Sequence, residues 1–223
     1  MSVRKTSFVP GEFYHLYNRG NSKQKIFHDP TDYYRFIVLL YTCNSENNFR
    51  IFLLNQKFDA DPYLFERGDQ LVSIGAYCLM PNHFHLLISE KKAGGISKFM
   101  QKFSTAYVMY YNNKYERTGG LFEGKFRSEH LYNDEYLKYI FSYIHLNPLK
   151  LIQNDWREKG LADVKGALNY LRDYEYSSYL DFKGFTRKQN SILEKGAYPD
   201  YFPNISDFDS EIMSWISSSL KPC

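Results

Sequence analysis

The chain has 223 residues, an apolar fraction of 43% and a net charge of +3. That length suits one domain with appendages or two small ones, and it allows a real core without staples. Cys43, Cys78 and Cys223 lie far apart with no CxxC spacing, so neither a disulfide framework nor a cysteine metal site is indicated. The segment MSVRKTSFVP carries no apolar signal run and no 18-residue apolar stretch occurs, so a cytosolic protein without a membrane partner is expected. Aromatic residues are in surplus, with 21 Tyr and 18 Phe against two Trp. They can fill a core, and they also supply flat faces on which unpaired bases stack.

In chain order, Phe13 to Asn18 (FYHLYN) has strand composition and stops at Arg19-Gly20. Asp29-Pro30-Thr31-Asp32 reads as a helix start, followed by apolar Tyr34, Ile37, Val38 and Tyr41 at helical spacing. Phe49 to Asn55 reads as a second strand, and residues 59–69 as a polar loop. Leu71 to Leu79 and His83 to Ser89 are two strand-like runs. Met80-Pro81-Asn82 between them predicts an antiparallel hairpin. Gly94-Gly95 precedes a long helix from about Ile96 to Tyr115, and Gly119-Gly120 breaks the chain again. A short strand within Leu121 to Tyr132 then leads into a helix near Asn133 to Asn147, which Pro148 must end or distort.

The order β-α-β-β-α-β-α predicts an α+β protein, an antiparallel sheet with helices packed on one face. Its first six elements match the ferredoxin-like pattern. The expected organisation is a core over 1–150, with a less regular extension over 151–223 that wraps around it and no linker between them.

Charge is unevenly placed. Between Lys91 and His130 eight cations (Lys91, Lys92, Lys98, Lys102, Lys114, Arg117, Lys125, Arg127) face three carboxylates (Glu116, Glu123, Glu129), interleaved with Tyr107, Tyr110, Tyr111, Phe122 and Phe126. Such a stretch suits a phosphate backbone, and taken alone it fits a solvated helix face equally well.

Two constellations carry chemistry. In His83-Phe84-His85 the strand alternation puts both imidazoles on one face, about 7 Å apart, with Phe84, Leu86 and Ile88 on the other. Two imidazoles so placed can converge on one cation. An isolated HxH pair is more often a turn cap beside a carbonyl-bonded imidazole. In EYLKYIFSYIHLNP, Leu137, Ile140, Phe141 and Ile144 form an inward face, while Tyr136, Tyr139, Tyr143 and Asn147 form a second one. A tyrosine stripe of this kind commonly just fills space, and Tyr139 competes with Tyr143 for any chemical role. His15, His28 and His130 have no comparable partner in the sequence and are assigned no chemistry.

Taken together, AYCLMPNHFHLLI followed by YIHLNP resembles the REP-associated and insertion-sequence-200-like transposases, which are members of the single-tyrosine HUH superfamily. YHLYNRGNSKQKIF, GGLFEGKFRSEHL and YEYSSY support the resemblance, which runs from about residue 12 to residue 180. It implies the HUH endonuclease fold, with the metal pair on His83 and His85 and the nucleophile on Tyr143. The insertion-sequence branch has a glutamine four residues after the tyrosine as third ligand. Here Asn147 holds that place and offers the same carbonyl oxygen on a shorter arm. The resemblance further implies Mg²⁺ or Mn²⁺ as cofactor and a single-stranded DNA substrate bearing a hairpin from a repeated palindrome. It implies cleavage and rejoining through a 5′-phosphotyrosine, by a monomer or homodimer. Arg19, Lys102, Lys125 and Arg127 are the candidate nucleic-acid contacts. The alternatives are an inactive, domesticated module that binds hairpin DNA or RNA, and a metallonuclease in which water attacks and Tyr143 only stacks. Residues 181–223 match no motif.

Overall fold

The computed structural model describes residues 7–47 and 61–218. Strand β1 spans Phe13–Arg19. Helix α1 (Pro30–Thr42) starts at Asp29, whose carboxylate accepts the Thr31 and Asp32 N–H groups, with Pro30 in the first turn where its missing N–H costs nothing. Ile37, Val38 and Tyr41 are buried as their spacing predicts, whereas Tyr34 faces solvent. The strand expected at Phe49 to Asn55 lies outside the described residues.

Strands β2 (Val72–Met80) and β3 (His83–Glu90) form the expected hairpin, with Met80 opposite His83 across the two-residue turn Pro81-Asn82. The turn is held from outside, because Gly20 N–H donates to Asn82 O at 2.8 Å and Ile26 N–H to Pro81 O at 2.9 Å. Helix α2 covers Gly95–Lys114. Of the region 121–132 only β4 (Arg127–His130) pairs as a strand. The residues before it bend at Gly124 (φ +72°) and close over the end of β1 through Asn21 N–H to Leu121 O and Glu123 N–H to Arg19 O. Helix α3 (Asp134–Leu146) is capped by Asn133 and passes at Asn147 into a 3-10 turn, Asn147–Leu151, because Pro148 has no N–H to continue the α ladder.

The sheet order is β2-β3-β1-β4, all antiparallel, which is the ferredoxin-like arrangement of a β-α-β-β-α-β unit. The α+β class and the antiparallel sheet are therefore as expected. The expectation of helices on one face needs a correction. Helices α1 and α2 pack on the face carrying Leu16, Leu79, Phe84, Leu86 and Ile88, whereas α3 packs on the opposite face against Ala76, Cys78, Met80 and Leu87. Both faces are covered, which is why β2 is buried at every position instead of alternating between apolar and polar.

Beyond residue 150, α4 (Trp156–Lys159), α5 (Val164–Asp173), α6 (Tyr179–Phe182) and α7 (Ile205–Ser218) follow. They gather Trp156, Leu171, Phe208 and Ile212 around Leu146 and Leu149 at the end of α3. The YEYSSY segment runs along the free side of β2. Leu79 N–H donates to Tyr176 O (3.0 Å), Ser178 N–H to Tyr77 O (2.9 Å), and the Tyr174 hydroxyl to Leu79 O (2.6 Å). An exposed strand edge is closed in this way. No described helix is long and apolar enough to cross a membrane.

Candidate active site

Antiparallel register decides which side chains share the face beneath α3. His15 is paired with Glu129 and Tyr17 with both Arg127 and His85, while Arg19 is paired with His83. Directly opposed residues project from the same face. His15, Tyr17, Arg19, His83, His85, Arg127 and Glu129 therefore form one polar patch, contributed by three strands, on the side that α3 covers.

Helix α3 lays Tyr143 onto this patch. Its ring lies 5.5 Å from that of His85 and 5.7 Å from that of His15, nearly perpendicular to the first. Tyr139 points elsewhere and packs its ring 5.0 Å from Trp215 on α7. The two candidate tyrosines are thus separated by geometry, and only Tyr143 meets the histidines. Asn147, one turn on, donates its Nδ2 to Tyr143 O at 2.9 Å, which turns Oδ1 away from the helix.

His83 and His85 face one another with ring centres 5.0 Å apart and planes at 88°. His83 Nδ1 is bonded to Asn82 Oδ1 at 2.6 Å and His85 Nδ1 to His15 Nε2 at 2.9 Å. Burial, reinforced by Lys150 and Arg19, pushes the His83 pKa down to about 4. Burial, followed by the neighbouring His15 and His83, pushes His85 well below the ordinary histidine value. Both rings are therefore neutral at pH 7, the form that has a lone pair to offer.

Three polar atoms here are buried without a hydrogen-bond partner among the described residues: His85 Nε2, Asn147 Oδ1 and His15 Nδ1, the last standing 3.8 Å from Glu129 Oε2. Buried polar atoms are rarely left so, and an orphan invites the explanation of an absent ion or ligand. No group of three or more His, Cys, Asp and Glu side chains able to hold a metal ion occurs among the described residues. The donor set is instead two imidazoles and an amide oxygen. That mixture suits Mn²⁺ and admits Mg²⁺ with water completing the shell. The residues present fit a divalent cation.

Burial dominates the electrostatics around Tyr143. Burial raises its pKa above the usual tyrosine value, and Arg157 and Asn147 only partly offset this. The guanidinium of Arg157 stacks 4.6 Å from the Tyr143 ring centre, with Lys150 Nζ at 5.7 Å.

The nucleic-acid candidates divide. Arg19 and Arg127 line a cavity of about 290 Å³ beside His83, together with Tyr17, Lys23 and Asn82. Arg19 is ion-paired with Glu123 across that cavity. Lys125 lines a different and larger cavity, about 690 Å³, with Phe8, Phe122 and Phe126. Lys102 is not brought to the patch. It lies on α2, which packs on the other face of the sheet, and its ammonium donates to Ser45 O (2.6 Å) and Asn47 O (2.7 Å).

Lys150 and Arg157 escaped the sequence reading, and His15, assigned no chemistry there, is brought beside His85. The alternation His15-x-Tyr17 in β1 mirrors His83-x-His85 and was visible, but it acquires meaning only through the pairing of β1 with β3. Nothing local to Arg157 marks it, because it reaches Tyr143 from the segment beyond the core.

Residues 67–147, which include the histidine pair and the whole of α3, match the family model described as "Transposase IS200 like". Over that stretch, roughly a third of the chain, the sequence is similar to the IS200-like transposases. The matched residues end at Asn147. The chain is also similar to a solved REP-associated tyrosine transposase bound to a REP hairpin, with 14% identity, a TM-score of 0.48 and 89% of each chain covered. No curated protein matches this chain.

Proposed function

We propose that this IS200-like protein is a single-tyrosine transesterase that cuts and rejoins single-stranded DNA. The observation that carries the reading is the pair of buried, unpartnered acceptors, His85 Nε2 and Asn147 Oδ1, set beside Tyr143. His83, His85 and Asn147 would hold a divalent cation, Mg²⁺ or Mn²⁺. When bound, it would supply Lewis-acid stabilisation of charge on the scissile phosphate.

The chain's own residues account for the remainder. The Tyr143 oxygen attacks phosphorus and loses its proton, the bond from phosphorus to the 3′ oxygen breaks, and that oxygen leaves as a 3′ hydroxyl. The product is a 5′-phosphotyrosine, which conserves the phosphodiester so that a second 3′ hydroxyl can reverse the step. Arg157 favours the attack by opposing the burial that keeps the phenol protonated, and Lys150 stands nearby over the same ring. Arg19, Lys23 and Arg127 suit the phosphates on the His83 side, with Lys125 further along. The tyrosine face of α3 suits unpaired bases. Tyr132, Tyr136, Tyr139 and Tyr143 stand with successive ring centres 6.0, 6.1 and 5.9 Å apart, and Tyr132 is exposed. A strand carrying a palindromic hairpin is the substrate that the sequence resemblance implies. In this reading residues 1–150 are the catalytic domain, and residues 151–223 are an extension that contributes Arg157.

The test is incubation with a labelled single-stranded hairpin and Mn²⁺, followed by denaturing electrophoresis. A covalent adduct that Tyr143→Phe abolishes and Tyr139→Phe retains supports the proposal. Cleavage without an adduct indicates attack by water, tight binding without cleavage indicates a binding module, and an adduct that survives Tyr143→Phe but not Tyr139→Phe moves the nucleophile.

A further inference from the structure

His15 is almost fully buried and lies on a strand remote in sequence from the HFH pair, with Nε2 bonded to His85 and Nδ1 turned towards Glu129. Its Nε2 is 2.9 Å from His85 Nδ1, and its Nδ1 faces Glu129 Oε2 at 3.8 Å. The first contact is a hydrogen bond; the second is longer than one and acts through charge. Glu129 is fixed in turn, because the Tyr17 hydroxyl donates to Oε1 and the Tyr136 hydroxyl to Oε2, each at 2.9 Å. These contacts, His15 foremost, hold the Glu129 pKa down at about 2, so it is a carboxylate under all ordinary conditions.

We infer that Glu129 and His15 form a relay that sets the tautomer of His85, leaving its Nε2 as a bare lone pair aimed at the site; this rests on the reading of His85 as a metal ligand. The logic follows from counting protons. Between two neutral imidazoles, one nitrogen must donate and the other accept. The negative charge of Glu129 draws the proton of His15 to Nδ1, so His15 Nε2 becomes the acceptor. His85 Nδ1 must then carry the hydrogen, and His85 Nε2 cannot. The reverse arrangement would direct a lone pair of His15 at a carboxylate and place a proton on the His85 nitrogen that a cation needs. Orientation of a ligand imidazole through its second nitrogen is a general device. Here a second histidine is inserted between ligand and carboxylate. His15 and Glu129 are positioning residues, since neither faces Tyr143 with a reactive atom of its own in this scheme.

The experiment uses the full chain labelled with ¹⁵N at its six histidines. Nitrogen-resolved spectra of the metal-free protein report each tautomer, and Mn²⁺ alone is then titrated and followed by electron paramagnetic resonance. The expected result is His85 and His15 both protonated at Nδ1, with mixed His85 tautomers in Glu129→Gln and in His15→Phe. Mn²⁺ affinity should fall about 10- to 100-fold in His15→Phe. His15→Gln, whose amide oxygen can accept from His85 Nδ1, should recover most of the loss. Glu129 is partly exposed, so Glu129→Gln remains informative if His15→Phe fails to fold. A wild-type His85 protonated at Nε2, or an unchanged tautomer and Mn²⁺ affinity in His15→Phe, overturns the relay. If the wild-type tautomers are as stated but the protein takes up no Mn²⁺, the metal reading fails and the relay stands.

Discussion

The guanidinium carbon of Arg157 lies 4.6 Å from the centre of the Tyr143 ring, closer than Lys150 Nζ at 5.7 Å. A residue from the segment beyond the ferredoxin-like core therefore sits on the candidate nucleophile. Arg157 also works against the burial that raises the Tyr143 pKa. Its position suits it to steady negative charge that develops as the phenol oxygen attacks.

Arg157→Gln should slow formation of the covalent adduct by on the order of 10²-fold, comparable to loss of one well-placed charge-stabilising donor. Stability should change by less than about 1 kcal/mol, because Arg157 is only partly buried. Single-turnover kinetics beside a denaturant titration would separate the two effects. An unchanged rate would reduce the contact to packing.

Asn147 should matter through its oxygen. Asn147→Leu should weaken Mn²⁺ binding by about tenfold, or roughly 1.4 kcal/mol. Asn147→Asp, which keeps an oxygen at the same place, should bind at least as well as the wild type. Direct Mn²⁺ titration decides between them. Equal loss in both variants would point to the bond from Asn147 Nδ2 to Tyr143 O (2.9 Å) as the important contact.

Away from the site, Asp32 is fully buried and accepts from Lys114, Tyr110, Tyr115 and the backbone N–H of His28. Burial alone would raise its pKa, but Lys114 and the other donors outweigh it and the net shift is downward from 3.8. A depressed carboxylate pKa contributes stability that is complete above the unfolded value and is lost as pH falls through the folded one. Asp32→Asn should therefore cost about 3 kcal/mol at pH 7, as removal of one member of a buried pair does. The gap between variant and wild type should narrow below pH 3.8. Urea denaturation at a series of pH values measures this, and a gap independent of pH would show that the charge is not what matters.

Much of the molecule was legible in the residues themselves. Asp29-Pro30 marks the start of α1, the apolar runs around Pro81-Asn82 mark the hairpin, and HFH followed by YIHLNP marks the family that residues 67–147 match. These are local signals: a cap, a turn, an alternation and a fixed spacing are properties of neighbouring residues. Tertiary structure decided the rest. It separated Tyr143 from Tyr139, which share one helix face, by covering them with different partners, the histidines and Trp215. It carried Lys102 to the far face of the sheet, joined His15 to His85 across 70 residues, and brought Arg157 back onto Tyr143. The physical reason is strand register and helix packing, which arise from long-range pairing and burial. No short window of sequence contains the two sides of such a contact.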